Sequence, residues 1–89
     1  MTRWTVDLSD SARHALTRLD RPIQKRIAAA FDRLEAAPEP SALCKPLTGR
    51  LAGLWRYRVG DWRLVCEIHR GRLVMLVITI GHRSDVYDG

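Results

Sequence analysis

Two cysteines, Cys44 and Cys66, are too few to staple a secreted disulfide scaffold, and neither sits in a metal-ligand spacing. A reducing, cytoplasmic setting is therefore expected, with no metal and no cofactor. The longest apolar stretch, Leu73 to Ile80, is far short of the ~18 residues a membrane span needs. No basic-then-apolar leader opens the chain, so a signal peptide is not expected. A glycine-rich phosphate loop and a Ser/His/Asp set are also missing, which argues against nucleotide-dependent or metal-dependent catalysis. Lysine is scarce, with only Lys25 and Lys45.

Arginine is abundant instead. It makes up 13 of the 15 basic residues, against 10 acidic ones, and the net charge is +5. Residues 1–44 carry seven basic and six acidic side chains, whereas residues 45–89 carry eight and four, so the excess lies in the second half. Arginine's planar, always-charged fork suits phosphate better than lysine's point charge does. A basic face of this kind points to nucleic acid or another polyanion. Eighty-nine residues, 46% of them hydrophobic, predict a single domain spanning residues 1–89 with a small core.

Arg3 to Leu8 alternates, with Trp4, Val6 and Leu8 on one side, as a half-buried strand does. Ser9 or Asp10 can cap the helix that follows, where Ala12, Leu16 and Leu19 form a stripe. Asp20-Arg21-Pro22 restarts the chain as a second helix, with Ile23, Ile27, Phe31 and Leu34 on one face and its end near Ala37. Helices joined this tightly are expected to form an antiparallel hairpin. Pro38 to Gly53 reads as a long loop. Strands follow at Leu54–Val59, Trp62–His69 and Leu73–Ile80. The last is apolar on both sides, like a central strand covered on both faces. Gly81 to Gly89 reads as a polar tail. The expected fold is α+β, with the helical hairpin on one face of a small sheet and the first strand beside the last.

A two-residue type II′ turn at Gly60-Asp61 would pair Val59 with Trp62, Arg58 with Arg63, Tyr57 with Leu64 and Arg56 with Val65. Arg56, Arg58 and Arg63 then share the face away from the core. Like charges opposed across strands are destabilising unless an anion sits between them, so this face reads as a phosphate platform. Glu67 shares the face, either as internal counter-ion or in proton transfer. Arg83 and Tyr87 join the cluster if the tail folds back over it, and His82 is a candidate acid or base. The tryptophans Trp4, Trp55 and Trp62 sit on apolar strand faces and are expected in the core.

The run Lys45-Pro46-Leu47-Thr48-Gly49-Arg50-Leu51, and that from Gly53 to Val65, closely resemble the RelE branch of the RelE/ParE toxin superfamily. The ending Gly81-His82-Arg83-Ser84-Asp85-Val86-Tyr87 is similar to that family's C-terminal signature. The resemblance implies a RelE-like microbial RNase fold, with an N-terminal strand and helical hairpin packed on a small, mostly antiparallel sheet. It implies a toxin of a type II toxin–antitoxin system: a metal-independent, ribosome-dependent mRNA endonuclease that inhibits translation. A ribose 2′-OH would attack its own 3′ phosphate while basic side chains offset the developing charge. Carried over by position, the catalytic residues are Arg56, Arg58, Arg63, Arg83 and Tyr87. The implied partners are an acidic RelB-like antitoxin, the ribosome and mRNA, with operator DNA reached only through the antitoxin. In the best-known form of the family the pair at 56 and 58 is lysine, and arginine cannot give up a proton. The general base is then Glu67, His82, Tyr87 or Lys45, or the reaction runs on positioning and charge alone. The alternative is a ParE-like toxin that inhibits DNA gyrase without cutting nucleic acid.

Overall fold

The computed structural model describes residues 3–82. Five strands form one sheet: β1 (Thr5–Leu8), β2 (Lys45–Pro46), β3 (Trp55–Val59), β4 (Trp62–His69) and β5 (Val74–His82), in the order β1-β5-β4-β3-β2. β1 runs parallel to β5 and every other pairing is antiparallel. The helices α1 (Asp10–Thr17) and α2 (Arg21–Ala36) are separated by three residues and cross-linked where Gln24 Nε2 donates to the Leu16 carbonyl, 2.9 Å away. α1 lies chiefly on β5, and α2 on β1 and β3. The α+β expectation and the placement of the first strand beside the last both hold. No helix of the described residues is long and apolar enough to cross a membrane.

The core is the layer between helices and sheet. Ala12, Ile27, Ala30 and Leu34 from the helices meet Tyr57, Val59, Leu64, Cys66, Met75, Val77 and Ile80 from the strands. These are the residues that helical and alternating periodicity put inward. Trp4, just before β1, is 5% exposed and its indole N–H donates to the Pro38 carbonyl at 3.3 Å. Trp55 and Trp62 are only half-buried, at the rim of the same layer.

Three segments differ from expectation. Pro38 to Gly53 is not structureless: it holds 3₁₀ turns at Pro40–Leu43 and Gly49–Leu51, with β2 between them. Glu39 ties this segment to the β4–β5 turn by accepting from Arg70 and from the Ser41 hydroxyl. β5 runs on through Gly81 and His82, which read as tail in the sequence. The apolar run in β5 also has a different cause. Val65 pairs with Thr79 but Cys66 pairs with Val77, so Ile78 is an extra residue in a β-bulge. The bulge flips the inward positions from Ile80 to Val77 and Met75. Inward apolar residues are therefore needed at both parities, and Val74 and Leu76 on the other side are half-buried as well.

Ser9 is the N-cap of α1, as one of the two expected candidates. Its Oγ accepts from Ala12 N and also donates to the Ile78 carbonyl at the bulge, each at 3.0 Å. A helix cap is typically worth ~0.5–2 kcal/mol, and this one also joins α1 to β5. Ser9→Ala should therefore lower stability by about 1–2 kcal/mol, read from the shift in urea midpoint at unchanged slope.

The outward amides of the edge strand β1 are both occupied by carboxylates. Val6 N donates to Glu35 Oε2 of α2 at 2.8 Å, and Leu8 N to the neighbouring Asp7 Oδ1 at 2.9 Å.

Candidate functional site

The site is built on the β3–β4 hairpin. Gly60 has φ +60° and Asp61 does not share the positive φ, as a type II′ turn requires. The tight turn sets the register: Val59 opposite Trp62, Arg58 opposite Arg63, Tyr57 opposite Leu64, Arg56 opposite Val65. With Tyr57, Val59 and Leu64 buried under the helices, side-chain alternation sends Arg56, Arg58 and Arg63 to the other face. Arg58 is exposed; Arg56 and Arg63 are half-buried.

β2 adds a fourth cation. Lys45 lies directly opposite Arg56 in the sheet, one strand spacing (~4.8 Å) away and on the same face, and its side chain is exposed. Its presence in the loop is visible in the sequence; its seat beside Arg56 is not. Four basic residues on three adjacent strands thus share one face of the sheet, Lys45 and Arg58 exposed and Arg56 and Arg63 half-buried. Such a surface attracts a polyanion, and its guanidinium forks suit phosphate oxygens.

The remaining candidates separate. Glu67 is on the arginine face but four residues further along β4, ~13 Å from Arg63, and its Oε1 lies 2.8 Å from His69 Nε2. His82 pairs with Trp62, so it belongs to the helix-side face. Its ring meets the indole edge-on with centroids 5.4 Å apart. Arg83 and Tyr87 lie outside the described residues. The thiols are poor nucleophiles: burial pushes Cys44 up to about 11, and Cys66 is raised further by burial and by the nearby Cys44.

A mixed five-stranded sheet with two helices on one face is the fold of the solved RelE-type toxins. The toxin–antitoxin complex RelBE2 of Mycobacterium tuberculosis contains a chain that superimposes with a TM-score of 0.83 at 31% identity, over 96% of this chain and 97% of that one. The archaeal RelE–RelB complex of Pyrococcus horikoshii shares the fold, with a TM-score of 0.73 at 24% identity over 96% of this chain and 100% of the other. Toxin RelG of M. tuberculosis is 32% identical over 85 residues, 94% of this chain and 95% of the relative. The family described as the ParE toxin of type II toxin–antitoxin systems, parDE, matches residues 6–87, and this chain belongs to it as a type II toxin of the RelE/ParE superfamily.

Proposed function

We propose that this toxin is a metal-independent endoribonuclease that cuts mRNA on the ribosome and so stops translation. The observation that carries the reading is the opposition of Arg58 and Arg63 across the hairpin, with Arg56 and Lys45 beside them on one face of the sheet. Like charges opposed across strands carry a cost in mutual repulsion. They repay it when a phosphate sits between them, and more so when that phosphate gains charge on the way to the transition state.

The reaction needs three things: the 2′ oxygen held in line with the P–O5′ bond, charge to offset the pentacovalent state, and a group that takes the 2′ proton. The P–O5′ bond breaks as the 2′,3′-cyclic phosphate forms, and the 5′ oxygen leaves with a proton from solvent or from that same group. Arg56, Arg58 and Arg63 supply the first two. In the third role Lys45 is the best-placed titratable residue, because it shares the face with Arg56 and can lose a proton where arginine cannot. Glu67 is engaged with His69 at the far end of β4, and His82 is on the opposite side of the sheet. Arg83 and Tyr87 complete the set if the C-terminal residues reach this face.

A RelB-like antitoxin is the partner that this reading requires, as the RelBE2 complex of the relative suggests. An acidic chain that covers the Arg56–Arg63 surface would silence it. The test is to induce the toxin and map transcript 5′ ends. New ends within translated codons, suppressed by co-expressed antitoxin, are the expected result. DNA breaks in place of transcript cuts would move the assignment to gyrase inhibition, and neither would leave a toxin without enzymatic action.

A further inference from the structure

A second basic cluster lies around the sheet edge from the first. Arg26 and Arg33 are seven residues apart on α2, ~10 Å along its axis, and Ala29 between them is too small to fill the gap. Arg58, Val59 and Gly60 close the other side. The result is a cavity of about 230 Å³ lined by these six residues, with no carboxylate among them. At ~30 Å³ per water, it has room for a phosphodiester group with some of its hydration.

The cluster is anchored at both ends. Arg33 Nε donates to the Tyr57 hydroxyl at 3.2 Å, which fixes the plane of its fork. Arg26 lies over the hairpin turn so closely that a Cβ at Gly60 would collide with its guanidinium. A side chain at position 60 would have to push the tip of Arg26 aside, and the φ of +60° disfavours one there in any case. β2 reaches no further along β3 than Arg56, so the approach to the cavity beside Tyr57–Val59 is clear of β2.

We propose that this cavity holds a backbone phosphate of the RNA strand, next to the one held on the Arg56–Arg63 face. Arg58 belongs to both clusters, so the two are successive stations for one polymer that passes around the sheet edge. A strand with regularly spaced phosphates fits that continuity better than a single carboxylate does. The inference rests on RNA being the substrate, and it extends the binding surface from β3 and β4 to α2. Arg26 and Arg33 are binding residues in it, with no part in the bond-breaking step.

The test is binding of a 2′-O-methylated single-stranded RNA oligonucleotide, which cannot be cut, to the full chain by fluorescence anisotropy across a salt series. Arg26→Glu and the Arg26→Ala/Arg33→Ala double variant, both checked for unchanged thermal unfolding, should bind about five- to fiftyfold more weakly. The slope of log affinity against log salt should fall by ~0.7 for each phosphate that a variant no longer neutralises. Equal affinity and slope in parent and variants would overturn the proposal. So would a weakening seen only against the purified antitoxin, which would make the cavity a seat for a protein carboxylate. Cleavage on programmed ribosomes is measured alongside. Parent toxin that cuts while the variants bind oligonucleotide normally removes the cavity and keeps the nuclease. Parent toxin that never cuts while the variants bind weakly keeps the cavity and removes the nuclease.

Discussion

Arg63→Ala should slow cleavage on programmed ribosomes by about ten- to several-hundred-fold and leave the fold intact. A charge-assisted hydrogen bond to a phosphate is worth ~1.5–3 kcal/mol, and more when it strengthens in the transition state. Each ~1.4 kcal/mol is a factor of ten in rate. The side chain lies opposite Arg58 on the face away from the core, so its removal opens no cavity in the core. Thermal unfolding should be little changed. Arg63→Lys should recover only part of the rate, because the fork is lost while the charge is kept. A folded Arg63→Ala protein with full toxicity would sink the nuclease reading and favour the gyrase target.

Lys45→Arg should be at least as damaging, for a different reason. It preserves the positive charge opposite Arg56 and removes only the capacity to accept a proton. General base catalysis contributes ~10²–10⁴-fold, so a loss of about a hundredfold or more is expected at neutral pH. The parent's single-turnover rate should rise with pH, because deprotonation activates a base. Lys45→Arg should flatten that rise. If the rise survives Lys45→Arg and vanishes in Glu67→Gln, the base is Glu67. A profile flat in the parent itself would mean that positioning and charge suffice.

Much of this site is legible in the sequence because its geometry is local. A two-residue turn with glycine first fixes the pairing of its strands, and alternation then sorts Tyr57 and Leu64 inward and Arg56, Arg58 and Arg63 outward. The Ser9 cap and the two helix stripes are equally local. What is not legible depends on neighbours distant in sequence. β2 is two residues long, too short for any periodicity, and exists only because Lys45 and Pro46 meet β3. The β5 bulge needs β4 to reveal it, so a change of parity looks like a strand covered on both faces. Arg26 and Arg33 lie off the apolar stripe of α2 and look merely solvated until the hairpin turn closes over them. His82 reads as tail in the sequence, and strand pairing instead seats it opposite Trp62 on the helix-side face.

The carboxylates on the outward amides of β1 determine how copies of this chain can associate. Open-ended fibre growth by strand addition needs two receptive borders on every copy, one to give and one to receive. Here, among the described residues, the donors along one border are already spent, on Glu35 and Asp7, and the β2–β3 border remains. A molecule with a single receptive border can pair once and then stop. At the high local concentration of a freshly translated toxin, growth into β-polymers is thus cut off after a dimer, and the remaining border stays available for a partner of a different kind.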